Sequence, residues 1–178
     1  MILNSIIMAI LMIAGSVITF ECHGKTPGEV LVGFSLHDIK MKGLNVKDSY
    51  LSRYHGKPLI INVWASWCGP CKAEMSSLEV LAKQQRQSFN MIGISTDDYP
   101  DRALKFIDQT SITFDNYIDK RLVLENMLGA NRIPLTILVD KKGTVLKKIH
   151  GSMKWDHPLM IKMIDSIFSK NKINQKSD

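Results

Sequence analysis

The chain has 178 residues, 45% of them hydrophobic and 22% charged, with a net charge of +6. That mix is globular; it excludes a disordered tail protein, a collagen-like fibre and a multi-span membrane protein. The basic residues are scattered among acids until the tail, so the charge favours solubility and mild attraction to a membrane surface over nucleic-acid binding.

Residues 2–20 hold no Asp, Glu, Lys or Arg. As a helix this run would span roughly 28 Å, about the hydrocarbon thickness of a bilayer. The preferred reading is an uncleaved signal-anchor. The alternatives are a cleaved signal peptide with an apolar core at 6–13 and small residues Ala14 and Ser16 near the cut, and, more weakly, a buried soluble helix. The anchor and the signal peptide would each deliver the rest of the chain to an extracytoplasmic, disulfide-permissive space. Cys22 then reads as an isolated thiol at the membrane edge. Residues 21–33, with Gly24, Pro27, Gly28 and Gly33, read as a linker.

From Phe34 the pattern becomes that of a folded domain, expected over residues 34–169. Phe34, Leu36, Ile39 and Met41 predict a strand leading to a turn at Lys42 and Gly43, with Leu44 and Val46 continuing after it. Residues 48–54 predict one helical turn. The apolar run 59–65 predicts a strand buried on both faces, as in a central parallel sheet. Met75, Leu78, Leu81 and Ala82 follow at helical spacing. A second buried strand is expected at 91–95, a helix around Ala103, Phe106 and Ile107, and a short strand at 113–118. Val123, Met127 and Leu128 mark another helix stopped by Gly129. Residues 135–139 and 144–149 predict a hairpin. Met160, Met163, Ile164, Ile167 and Phe168 close with an amphipathic helix, and 170–178 is a polar tail. The order is that of an α/β domain with a mixed sheet.

Trp67-Cys68-Gly69-Pro70-Cys71 lies between a buried strand and a helix. Two cysteines three apart at a helix start can close a disulfide with little backbone movement. The first faces the unpaired N–H groups and the positive end of the helix dipole, which stabilises a thiolate. Cys68 is therefore the expected nucleophile, and Cys71, one turn deeper, the resolving thiol. Pro70 suits the first helical turn, and Gly69 leaves room for a substrate backbone. Half of a zinc site is the competing reading, but it needs two further ligands at finger-like spacing. Cys22, His55 and His150 do not supply them, so no metal and no cofactor beyond the dithiol is expected. Ile133-Pro134 enters a strand, where a proline cannot donate to the ladder. A cis bond there would leave the Ile133 backbone free to pair with an extended substrate near Cys68. Taken alone, an ordinary trans loop proline would be the favoured reading.

These motifs together resemble the thioredoxin superfamily, and within it the TlpA/ResA-type branch of membrane-anchored thiol-disulfide oxidoreductases. The stretch 61–75 carries the likeness most strongly. Phe34-Ser35-Leu36, Gly56-Lys57-Pro58, Ile94-Ser95-Thr96-Asp97, Ile133-Pro134-Leu135-Thr136 and Leu138-Val139-Asp140 also match. The resemblance implies a thioredoxin-like fold, with a central mixed sheet flanked by helices. It implies a disulfide reductase acting on oxidised cysteine-containing envelope proteins, re-reduced by a membrane thiol electron donor, and monomeric. Trp67, Gly69, Pro70, Ile133 and Pro134 would meet the substrate.

Thioredoxin itself carries a buried Asp six residues before its first active-site cysteine. Here Asn62 stands there and cannot titrate. The branch carries instead a Glu three residues after the second cysteine, here Glu74, on the same helix face as Cys71. Glu74 is thus expected to handle the Cys71 proton; a helix-dipole role is its alternative. Ser76 replaces the usual proline of the branch, and Leu135 the acid that cytochrome-maturation members tend to carry. Trp64 is expected in the core, Trp67 over the disulfide, Trp155 near the approach to the last helix, and Asp97 as a loop cap. A disulfide oxidase or isomerase and a thiol copper chaperone are the other readings. A peroxidase of the peroxiredoxin kind would carry Thr where Ala65 stands.

Overall fold

The computed structural model describes residues 26–174. The apolar run 2–20, Cys22 and the last four residues lie outside the described residues. Among the described residues, no helix is long and apolar enough to cross a membrane.

The strands are β1 (Lys40–Gly43), β2 (Ser49–Tyr50), β3 (Leu59–Trp64), β4 (Asn90–Ser95), β5 (Asp115–Ile118), β6 (Leu135–Val139) and β7 (Val145–His150). The helices are α1 (Gly69–Gln84), α2 (Pro100–Thr110), α3 (Val123–Leu128) and α4 (Pro158–Asn174), with a 3-10 turn at Leu51–Tyr54. They form a seven-stranded sheet in the order β2-β1-β5-β4-β3-β6-β7. β3, β4 and β5 run parallel, while β6 is antiparallel to β3 and β7 to β6. The sheet is mixed, with helices on both faces, as expected from the sequence.

β3 is buried along its whole length because it has strands on both sides and cores on both faces. Its residues alternate between the two. Ile60 and Trp64 enter the core packed by α1, α2 and α4. Ile61 and Val63 enter the other, which α3 and residues around Val30 and Leu36 close. Asn62 therefore faces the α1 side, where no apolar residue of β3 takes its place. Opposite Asn62 in register is Gly93. A Cβ on Gly93 would lie 2.0 Å from Asn116 Oδ1 and 2.7 Å from Trp64 Nε1. The glycine is what lets the Trp64 indole donate to Asn116 Oδ1 at 3.1 Å across the sheet.

Two expectations are corrected near the start. The strand expected from Phe34 to Met41 is broken. Ser35 makes only an isolated bridge with Thr144, and the backbone of 33–36 bonds Gly143 and Val145. The chain then leaves that side of the sheet and joins β5 through β1. Alternation records which side chains are buried, not which strand receives the backbone. The helical turn expected at 48–54 is likewise shortened to Leu51–Tyr54, because Ser49 and Tyr50 pair with β1.

Candidate active site

Helix α1 starts at Gly69, and its N-cap is Cys68, in extended conformation with φ −81° and ψ 109°. β3 ends four residues earlier, so the chain has only residues 65–67 in which to turn from strand to helix. Asp97, just after β4, holds that turn. Its carboxylate accepts from the Ser66 backbone N–H at 2.8 Å, the Ser66 hydroxyl at 2.6 Å and the Ser95 hydroxyl at 2.8 Å. The loop cap expected for Asp97 thus turns out to brace the segment that presents Cys68.

Cys68 and Cys71 are joined in a disulfide with Cα atoms 5.3 Å apart. The Cys71 backbone N–H donates to Cys68 Sγ at 3.2 Å. This is the unpaired first-turn donor that a helix start offers, and it would stabilise negative charge on that sulfur. Cys71 is fully buried, while Cys68 keeps 5% of its surface exposed. The two thiols are therefore unequal in access, although Cys68 is far less exposed than a surface thiol. Above Gly69 a Cβ would meet nothing within 4 Å, so the approach is open there. Trp67 is two-thirds exposed beside it.

The Ile133–Pro134 peptide is cis. Cys68 Sγ lies 3.9 Å from the Ile133 carbonyl oxygen. The segment before β6 thus borders the Cys68 sulfur.

Glu74 is on α1, one turn beyond Cys71, and its side chain is 1% exposed. Oε1 accepts from Asn62 Nδ2 at 2.9 Å. Oε2 accepts from the Met153 backbone N–H at 3.0 Å and from Trp155 Nε1 at 2.8 Å. Burial pushes the Glu74 carboxyl above the ordinary glutamate value; the Trp155, Met153 and Asn62 donors oppose that push without cancelling it. Asn62 Nδ2 also donates to Thr136 Oγ1 at 3.0 Å, while Asn62 Oδ1 is buried with no hydrogen-bond partner. Ser77 completes the arrangement: its hydroxyl donates to the Glu74 carbonyl at 2.8 Å and accepts from the Trp155 backbone N–H at 3.1 Å.

The sequence brought together Cys68, Cys71, Glu74 and Pro134. It placed Trp155 only near the last helix, whereas Trp155 is fully buried and its indole meets Glu74. It missed Met153 and Thr136 as partners of this cluster. The one available signal was Asn62 itself, a polar residue at the centre of an otherwise apolar strand, which must find partners.

Residues 32–148 match the model of the AhpC/TSA family. The chain belongs to that family. It is 31% identical over 125 residues to the thiol-disulfide oxidoreductase ResA of Geobacillus thermodenitrificans, covering 70% of this chain and 72% of that one. It is 28% identical to the thioredoxin-like protein YneN of Bacillus subtilis over 75% of this chain and 80% of that one. A Chlorobium tepidum structure assigned as thiol:disulfide interchange protein DsbE shares the fold, with a TM-score of 0.72 and 23% identity over 78% of this chain and 99% of that one. This member of the family is a thiol-disulfide oxidoreductase of the ResA type, with its paired cysteines at 68 and 71.

Proposed function

We propose that this protein reduces disulfides in other proteins outside the cytoplasm, held at the membrane by residues 2–20. The reduced enzyme would present Cys68 as thiolate. Its sulfur attacks a substrate disulfide; one substrate sulfur leaves as a thiol after taking up a proton, and the other stays bonded to Cys68. Cys71 then loses its proton and attacks Cys68 Sγ. The second substrate thiol departs, and two electrons have passed to the substrate. A membrane thiol donor restores the dithiol.

The observation that carries this reading is the inequality of the two sulfurs. Cys68 keeps 5% of its surface exposed and has a backbone N–H aimed at its sulfur; Cys71 is fully buried, one helical turn before the buried Glu74. Glu74 is the proposed acceptor of the Cys71 proton, since its raised pKa brings it nearer to a thiol's. Trp67, Gly69, Pro70 and the Ile133–Pro134 segment are the proposed contacts of the substrate chain. The direction rests on the Cys-Gly-Pro-Cys sequence, which in thioredoxin sits at roughly −270 mV, against roughly −120 mV for a strong oxidant. Ala65 stands where a peroxiredoxin would carry Thr, which argues against peroxidase chemistry.

Two measurements test this. Equilibration with glutathione or dithiothreitol buffers should place the Cys68–Cys71 couple nearer the first potential than the second; a value near the second would make the protein an oxidase. Cys71→Ser should accumulate mixed disulfides through Cys68, and Cys68→Ser should accumulate none. Trapping through Cys71 instead would reverse the two roles.

A further inference from the structure

Ahead of the sheet, Leu31, Val32, Gly33 and Phe34 form a β-turn in which the Leu31 carbonyl accepts from the Phe34 backbone N–H at 3.1 Å. Gly33, at φ 92°, takes the left-handed third position that a type II turn requires. Turns favour Gly, Pro, Asn, Asp and Ser. Here the three other residues are large and apolar, and all stand in water: Leu31 is 37% exposed, Val32 55% and Phe34 65%. Along the sequence this is the densest cluster of exposed apolar side chains among the described residues.

The turn is pinned in that position from both sides. Before it, Val30 is buried and its N–H donates to the Met127 carbonyl at 2.8 Å. After it, Leu36 is buried and its N–H donates to the Gly143 carbonyl at 2.9 Å. Between them the Gly33 N–H donates to the Val145 carbonyl at 2.8 Å, and the Val145 N–H to the Phe34 carbonyl at 2.9 Å. Single apolar side chains in water are ordinary, but three held together on a fixed turn mark a contact surface.

Two observations identify what covers it. Only residues 21–30 separate the turn from the uncharged run 2–20. Ten residues reach at most roughly 35 Å, so a run held in a bilayer keeps the turn close to that bilayer. The turn between β6 and β7 also carries Lys141 and Lys142, both exposed and in no ion pair among the described residues. The Ser35–Thr144 bridge and the Leu36–Gly143 hydrogen bond place that turn beside Phe34. Apolar side chains flanked by unpaired lysines suit the headgroup boundary of an anionic bilayer.

We propose that Leu31, Val32 and Phe34 insert into the headgroup boundary of an anionic lipid surface, with Lys141 and Lys142 against its phosphates. This rests on the membrane attachment in the proposed function and adds an orientation to it. Val145 pairs with Val139, and Val139 with Leu59, the first residue of β3; Cys68 comes after Trp64, the last. The length of β3, about 17 Å, therefore separates the lipid contact from the disulfide. The contact turns Cys68 away from the bilayer, toward soluble substrate proteins. Reduction by a membrane thiol donor then requires the turn to lift off the lipid.

The test reads tryptophan emission from the full chain in phosphatidylglycerol–phosphatidylcholine vesicles, plain or brominated on the acyl chains near the headgroup. The wild type is its own control, since Trp64 and Trp155 are fully buried and the exposed Trp67 stands beside Cys68. Its emission should differ little between the two lipids. Phe34→Trp and Val32→Trp each add one indole on the turn, and each should lose about half or more of the added emission in brominated lipid. Lys141→Glu/Lys142→Glu in the Phe34→Trp chain should weaken that quenching, as should vesicles of phosphatidylcholine alone. All variants should reduce a small aromatic disulfide at the wild-type rate. Unquenched indoles at both positions, in chains that float with the vesicles, would overturn the proposal. So would quenching of Trp67 instead, which would set the disulfide against the bilayer. A blue shift of the added indole that grows with protein concentration in detergent would also overturn it, since a second copy would then cover the turn. A chain that does not float with the vesicles sinks the membrane attachment itself, and the proposal with it.

Discussion

Glu74 is held by opposing demands: its burial favours the protonated acid, whereas its three donors favour the carboxylate. The net shift is upward. A group whose folded pKa is raised contributes stability that is complete below its unfolded value and is lost as pH rises through the folded one. Glu74→Gln stays neutral throughout, so its stability relative to wild type should improve as pH rises from the ordinary glutamate value of 4.5 through the raised folded one. Denaturant unfolding at several pH values on the oxidised proteins would read this directly. The same variant should slow resolution of the mixed disulfide by about tenfold or more near neutral pH, the scale of a lost general base. A wild-type rate across pH 6 to 9 would leave Glu74 as a structural residue. Asn62 shares in this balance. Its amide gives both hydrogen bonds through Nδ2, one to Glu74 and one to Thr136.

Helix α1 takes its place from its start. Its start is braced from β4 through Asp97, which accepts two hydrogen bonds from Ser66 in the turn that leads to Cys68. Asp97→Ala would leave the Ser66 N–H without its acceptor in a half-buried turn. We expect a loss of about 1–3 kcal/mol in unfolding free energy. The rate of alkylation of the reduced protein should fall too, since the turn sets where the Cys68 sulfur meets the helix N-terminus. Asp97→Asn, which keeps an acceptor oxygen, should recover part of both. A variant destabilised to that extent but alkylated at the wild-type rate would show that the turn and the thiol are independent.

The whole molecule is a sheet with two cores, and long-range side-chain bonds tie its layers. Glu79 of α1 accepts from the Thr113 N–H at 2.9 Å and the Thr113 hydroxyl at 2.6 Å, ahead of β5, and pairs with Lys83 at 3.0 Å. Burial alone would raise its pKa, but the Thr113 and Lys83 contacts outweigh it and hold the carboxyl below its ordinary value. The sign is opposite to that of Glu74. Stability from a lowered pKa is present above the unfolded value of 4.5 and is lost as pH falls through the folded one. Glu79→Gln should be less stable than wild type at pH 7, and the difference should narrow as pH falls below about 4. Urea midpoints at pH 7 and pH 3 would check this. A constant gap would mean that the Thr113 contact does not depend on charge.

Local physics made the reactive pair legible. Two cysteines three apart at the start of a helix meet whatever the rest of the fold does, because helical spacing and the unpaired first-turn N–H groups are properties of a few consecutive residues. The buried strand β3, the hairpin of β6 and β7 and the stop of α3 at Gly129 were legible for the same reason: periodicity and turn chemistry act over short range. The break between residues 33–36 and β1 was not, because alternation says which face is buried and not which neighbour bonds the backbone. Nor were the partners of Glu74, since Met153 and Trp155 come from the far end of the chain and Asn62 and Thr136 from two different strands. The sequence by itself determined the two sulfurs and the helix that separates them. Only the tertiary structure decided which groups surround the buried carboxyl, because those depend on how distant segments pack.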